Sequence, residues 1–473
     1  ALEEKETIIA KAATLRKQSA LFLRSQAARK PLTDRLVLEA QRAELIRLFT
    51  QGLTGFDVPA SGNTLPEARQ VWQTLTQDIS PYLDLLSSDN QVLAKNIRSY
   101  LSKGETLLKA NNDFDSFDRL AFLREALDPL FGALYDLHIA LGIETYYETT
   151  ASQKPQQYFA KNIFSPDFLD AAYYVPLPSR DPRGAQKQTL GKLLFFDPAL
   201  SGSNERACAS CHSPARAFTD GASKSVALDF KGTVDRNAPT LINAVYSERY
   251  FHDLRADDLT AQIEGVVTNE KEFHTDFYTI ADKLAQSPEY VRLFREAFPE
   301  EGSQPINRQS ITLAIGSYIA SLTSWNSPFD RYARGESEAL DESAKRGFNL
   351  FMGKAACGTC HFAPVFNGTV PPEYVESESE VLGVALTPAL KHATPDPDEG
   401  RFANKRAAEK ADFQRYAFKT PTLRNIALTA PYMHNGAYMT LEQIMDFDNK
   451  GGGAGIGIPL PNQTLPTDPL NLN

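Results

Sequence analysis

The sequence predicts a mainly α chain in which an N-terminal helical bundle precedes two smaller helical units, each built around one copy of the same five-residue pattern. Two observations carry this. Apolar residues recur at three- and four-residue spacing through the first 150 residues, the period of helices with one buried face. All four cysteines fall in "CASCH" (Cys208 to His212) and "CGTCH" (Cys357 to His361), and each copy follows a lead-in of the form Gly-x-x-Leu-Phe. Two copies are too few for a solenoid and fit a duplicated unit.

A chain of 473 residues, 42% hydrophobic, can bury large cores and divides naturally into several domains. Its formal net charge of −10 argues against a nucleic-acid partner, because neutralising phosphates needs a basic surface. No apolar run reaches the length of a membrane span. The opening "ALEEKETIIAKAATLRK" reads as charged and helical, so the expectation is an exported chain whose signal peptide has been removed.

Taken in order, residues 1–150 form the bundle, to which no chemistry is assigned. Within it "PLTDRLVLEAQRAELIRLF" predicts a helix starting between Pro31 and Asp34. In the run "DFDSFDRLAFLREALDPLFGALYDLHIALGIETYY", Phe117, Leu120, Leu123, Leu127, Leu130, Leu134 and Leu137 make one stripe, with a kink expected at Pro129. His138 in that run is read as a buried, satisfied side chain rather than a ligand. Residues 151–184 are proline-rich without a sustained period and predict a linker wrapped over a neighbouring surface. The units at 185–335 and 336–473 follow, each opening with a helix that runs into its motif. The runs "VESESE" (375–380) and "KHATPDPDEGRFANKRAAEK" (391–410) are expected to be solvated loops.

Two disulfides would not explain why each cysteine pair has two residues between its members and is followed at once by histidine. A four-cysteine zinc site would need the two pairs to meet and leaves the histidines unexplained. Cys-x-x-Cys-His is the attachment pattern of c-type haem, in which the thiols bond covalently to the porphyrin and the next residue ligates iron. The sequence therefore predicts two covalently bound haem c groups, on Cys208 and Cys211 with His212, and on Cys357 and Cys360 with His361. Such attachment happens outside the bacterial cytoplasm, which predicts a periplasmic protein.

Beyond these motifs, "ARAFTDG" (215–221), "DRNAPTLINA" (235–244), "NSPFDRY" (326–332) and "FKTPTLRNIALTAPYMHNGAYMTLEQI" (418–444) resemble the bacterial di-haem cytochrome c peroxidases and their methylamine-utilisation relative, MauG. The resemblance covers roughly residues 185 to 460. It implies two cytochrome c-like domains after the N-terminal bundle, the first carrying the peroxidatic haem and the second the electron-transfer haem. It implies a calcium ion on Asn237 and the carbonyls of Thr429 and Pro431. It also implies Gln262 and Glu272 as the peroxide-handling pair, Glu272 acting as a proton shuttle with the raised pKa of a carboxyl in an apolar pocket.

The chain departs from its relatives in three places. The loop from His212 to "RNAPT" contains no further histidine to block the first haem, which predicts an open first haem, as in MauG. His252, in "FHDLRA", stands where the family has a tryptophan between the haems, and is expected to act through its proton and hydrogen bonds. Asp448 stands where the second haem's sixth ligand is expected, with Met445, one turn earlier, as the alternative.

Three functions compete. The first is a peroxidase reducing hydrogen peroxide with electrons from a small cytochrome c or cupredoxin. The second is a MauG-like oxidase drawing electrons from a protein substrate through a high-valent iron state. The third is a non-catalytic di-haem carrier or sensor. Gln262 and Glu272 favour an enzyme.

Overall fold

In the computed structural model the described residues are 11–21, 32–59, 61–150, 153–177, 181–388, 392–404 and 406–472. The expected helix over the first ten residues, Pro31 at the expected helix start, parts of the linker (151, 152, 178–180) and two positions of the charged run 391–410 (391, 405) lie outside them. The chain is mostly helical, and among the described residues it has one minimal sheet, in which Ser379–Glu380 pairs antiparallel with Phe418–Lys419. Among the described residues no helix is long and apolar enough to cross a membrane.

The helix Asp34–Arg47 begins where Thr33 caps it, its hydroxyl accepting from the Leu36 amide at 3.3 Å. Helices Thr64–Asp84 and Gln91–Ala110 pack closely because Gly104 leaves room for the Trp72 indole. A Cβ at that glycine would sit 2.1 Å from the ring. The predicted stripe from Phe117 to Leu137 is buried throughout. The regular helix is interrupted where Pro129 is expected to disturb it. The chain widens into a π-turn at Leu123–Leu127 just ahead of the proline, which then occupies the first turn of Asp128–Ala140, where its missing N–H costs least. His138 is buried and doubly engaged, with Nδ1 2.7 Å from the Tyr158 hydroxyl and Nε2 3.1 Å from the Glu144 carbonyl.

One continuous apolar cluster runs from Leu38 to Tyr374 and crosses every expected boundary. Phe49 of the N-terminal region lies against Phe164 (centroids 6.3 Å) and stacks on Phe348 (6.5 Å) of the helix Glu342–Met352, which leads to the second motif. Full burial of such a ring contributes about 1.5–3 kcal/mol. Polar bonds secure the same seam, Gln51 donating to the Pro371 carbonyl at 2.9 Å and the Leu120 amide to Asn349 Oδ1 at 3.1 Å. A second, small cluster of Ala385, Tyr438, Phe447, Ile456 and Ile458 closes the C-terminal unit.

Both lead-in helices precede their motifs as expected, Gly184–Phe196 and Glu342–Met352. The two glycines of the shared lead-in are not equivalent. Gly191 lies so close to the helix Arg308–Ala320 that a Cβ would fall 1.8 Å from the Ala314 carbonyl oxygen, whereas Gly347 faces open space.

The two charged runs are only partly solvated. In "VESESE", Ser379 and Glu380 form a strand, and the Ser377 hydroxyl accepts from the Glu248 amide at 3.2 Å. In 391–410, Glu409 is 6% exposed between Arg249 (2.8 Å) and Arg401, and Asn404 donates to the Asp253 carbonyl at 3.1 Å. Charge pattern predicts solvation only when the counter-charges are local. Here Arg249 comes from far along the chain.

Candidate active site

Each Cys-x-x-Cys-His motif forms a short 3-10 turn, Cys208–Ser210 and Cys357–Thr359, and the following chain doubles back beneath the histidine. The return uses left-handed residues, Ala217 and Phe218 after the first motif and Phe366 after the second. As a result the Phe218 carbonyl lies 3.1 Å from His212 Nδ1. The Phe366 and Pro421 carbonyls each lie 3.2 Å from His361 Nδ1. A carbonyl only accepts, so Nδ1 must carry the proton and Nε2 is left as the basic nitrogen that ligates a metal. Burial lowers both histidine pKa values, His361 to about 4, which keeps the rings neutral. The sequence reading missed Phe218, Phe366 and Pro421. What marks the first two is a phenylalanine five or six residues after each histidine.

A cavity of about 1070 Å³ opens beside the first motif. Cys208, Cys211 and His212 line it, and so do Gln262, Glu272, Asn237, His252 and Lys419. Gln262 stands on the helix Leu259–Thr268, which Asp258 caps by accepting from the Ala261 amide at 2.8 Å. Just past that helix the Glu272 amide donates to the Asn269 carbonyl at 3.0 Å. Glu272 Oε2 is buried without a hydrogen-bond partner. Burial is the main cause that pushes this carboxyl up to about 7. Asp235 adds to the shift and Arg255 opposes it.

His252 donates from Nε2 to the Asn237 carbonyl at 3.0 Å, and its own carbonyl accepts from the Lys419 amide at 2.7 Å. Two residues on, Pro421 accepts from His361. A short hydrogen-bonded path therefore joins the wall of the first cavity to the second motif. Arg424 strengthens the same region. Its guanidinium forks onto Asp330 at 2.9 and 3.0 Å and reaches the Pro364 carbonyl at 2.9 Å, tying "NSPFDRY" to "FKTPTLRN".

At the second motif Asp448, on the helix Leu441–Asn449, lies near enough to Cys357 to raise its thiol pKa, and burial pushes the Asp448 carboxyl up to about 7. Met445 on the same helix is 46% exposed. Glu380 stands beside the Cys360 thiol. Tyr438, fully buried and with its hydroxyl lacking a hydrogen-bond partner, lies close enough to Asp448 to feel its charge. The sequence reading did not single it out.

The four thiols are free, and among the described residues no three His, Cys, Asp or Glu side chains converge as a metal cage, so the two pairs do not meet in one zinc site. What the geometry does fit is haem. Each site offers two half-buried thiols and a neutral imidazole locked in the ligating tautomer, and the first opens onto a cavity of ligand-binding size.

A mainly helical chain with two such sites defines a di-haem oxidoreductase of the c type. Residues 185–338 match the family model described as di-haem cytochrome c peroxidase. The methylamine utilization protein MauG of Methylorubrum extorquens is 35% identical over 278 residues, 59% of this chain and 72% of that protein. Cytochrome c551 peroxidase of Pseudomonas aeruginosa is 36% identical over 279 residues, 58% of this chain and 76% of that one. A solved MauG-like protein associated with microbial copper homeostasis superposes with a TM-score of 0.51 at 28% identity, over 60% of this chain and 84% of its own. The chain belongs to the di-haem cytochrome c peroxidase and MauG family, and it is a haem-dependent oxidoreductase with peroxidase function.

Proposed function

We propose that the chain reduces hydrogen peroxide at a first haem, held by Cys208, Cys211 and His212, with electrons relayed through a second haem, held by Cys357, Cys360 and His361. The observation that carries this reading is Glu272, a buried carboxyl with an unpartnered oxygen in the same cavity as the first motif. Haem iron supplies a coordination position for peroxide and the electrons that divide it. The protein's part is proton handling. The Glu272 carboxylate takes the proton from one peroxide oxygen and returns it to the other, so that water leaves instead of hydroxide. The Gln262 amide, which can donate and accept, orients the molecule. Asp448 is the protein ligand of the second iron, a reading favoured over Met445 by the methionine's exposure. His252 fixes the wall between the sites.

The layout in this proposal is a bundle at 1–150, a linker at 151–184, and haem domains at 185–335 and 336–473. Electrons come from a small cytochrome c or cupredoxin in the periplasm. A calcium ion on Asn237 and the carbonyls of Thr429 and Pro431 joins the domains. Its oxygen donors suit that ion, and the Asn237 amide already donates to the His434 carbonyl at 2.8 Å, which holds these loops together. Rapid mixing with peroxide and a pre-reduced donor tests the function. Donor oxidation at catalytic rates is expected, and a haem spectrum unmoved by peroxide would overturn it.

One observation supports a MauG-like variant acting on a protein substrate. The segment after His212 brings no histidine to the cavity, and His252 is already bonded to Asn237. This supports a first haem that is open without prior reduction. Cyanide binding to the fully oxidised protein is the expected result.

A further inference from the structure

We propose that Lys419 is the cationic seat for a carboxylate of the first haem, at the wall between the two sites, and that it sets the reduction potential and orientation of that haem. This rests on the reading that the first motif holds haem.

Lys419 lines the cavity beside the first motif. Its Nζ makes one long hydrogen bond, 3.4 Å to the Arg249 carbonyl, and stands 5.3 Å from the centre of the Tyr250 ring. Among the described residues no carboxylate pairs with it. Burial alone perturbs it, lowering the ammonium to about 8. Of the other cations lining the cavity, Arg206 and Lys224 pair with no carboxylate among the described residues, and four do. Arg236 pairs with Asp253 at 2.7 Å and Asp398 at 2.6 Å, Arg255 with Asp253 at 2.9 Å, Arg406 with Asp257 at 2.6 Å and Lys271 with Asp235 at 2.5 Å. Lys419 is therefore a half-buried charge without a counter-charge among the described residues, in a chain whose net charge is −10. Such a group is costly unless an anion joins it.

The backbone fixes where that anion must be. Lys419 pairs with Ser379 in the two-stranded sheet, its amide donates to the His252 carbonyl, and Pro421 two residues on accepts from His361. The side chain springs from a rigid segment and reaches into the first cavity. Haem carries two carboxylates on one edge of its ring. One of them against Lys419 would satisfy the ammonium. A fixed positive charge near iron favours the reduced state, so Lys419 raises the first haem's potential. It is a positioning residue. A free inorganic anion offers the same charge, and the test separates the two.

The experiment is a redox titration of the holoprotein, wild type beside Lys419→Met, Lys419→Gln and Lys419→Arg, with covalent haem counted by haemochrome assay. With two haems attached, Met and Gln should lower the first haem's potential and Arg should restore most of it. A wild-type count other than two would defeat the haem reading beneath the proposal. Unchanged potentials in Met and Gln would overturn the proposal itself, and so would a wild-type potential that added phosphate lowers, which would mark the seat as one open to free anions. If neither neutral variant folds, resonance Raman spectra of the wild type in light and heavy water still decide. A carboxylate-bending band that moves with exchange is expected, and one that does not move overturns the proposal.

Discussion

His252 and Asn237 are joined by a single hydrogen bond, the ring Nε2–H donating to the backbone carbonyl at 3.0 Å. Burial, reinforced by Arg236, lowers the His252 pKa to about 3, so the ring is neutral across the working pH range. The unfolded ring protonates near 6.5. A depressed folded pKa makes this contribution to stability full above pH 6.5 and progressively lost as pH falls toward 3. A neutral imidazole is a poor station for a migrating electron hole. His252→Trp should therefore speed transfer between the haems, measured by flash photolysis or pulse reduction, and an unchanged rate would remove the residue from the transfer path.

Glu272→Gln should slow the reaction with peroxide by about two orders of magnitude, the scale of losing a general acid-base group. The carboxyl must be ionised to take the first proton. In the wild type the rate should rise as pH increases through about 7, and the variant should lose that dependence. Stopped-flow traces from pH 5 to 9 check both.

Asp448→Met should raise the second haem's potential and alter its optical spectrum, because a thioether favours ferrous iron where a carboxylate favours ferric. Met445→Leu should change neither, given that the methionine points outward. The reverse pattern in a spectroelectrochemical titration would give the iron to Met445.

Arg424→Met leaves the buried Asp330 carboxylate without its partner. Removing one member of such a pair costs about 3–5 kcal/mol. Thermal or denaturant unfolding of the holoprotein should show that loss, and Asp330→Asn with Arg424→Met together should recover part of it.

How much of this was legible follows from the range of each signal. The haem motifs, the apolar stripe at Phe117–Leu137 and the lead-in helices are local patterns, and the structure contains the stripe and the helices where periodicity put them. The reading of Glu409 and Glu380 as solvated failed because Arg249 and the Cys360 thiol come from other parts of the chain. Pro129 marks a local break in the run, and the chain meets it with a π-turn just ahead of the proline. Lys419 lies in the stretch that resembles the family, yet its lack of a counter-charge appears only in the folded arrangement, where Arg236, Arg255 and Arg406 hold the neighbouring carboxylates.

The stacking of Phe49 on Phe348 ties the N-terminal helices to the segment that leads to Cys357. Segments sharing one core exchange their amide hydrogens together, through a common opening. Amides near Phe49 and those of Phe348–Met352 should therefore share one slow exchange class, set by cooperative opening of the whole unit. Cutting the chain at residue 150 would then strip the second site of its inner wall, so the N-terminal region is better regarded as part of that site's foundation than as a separable cover.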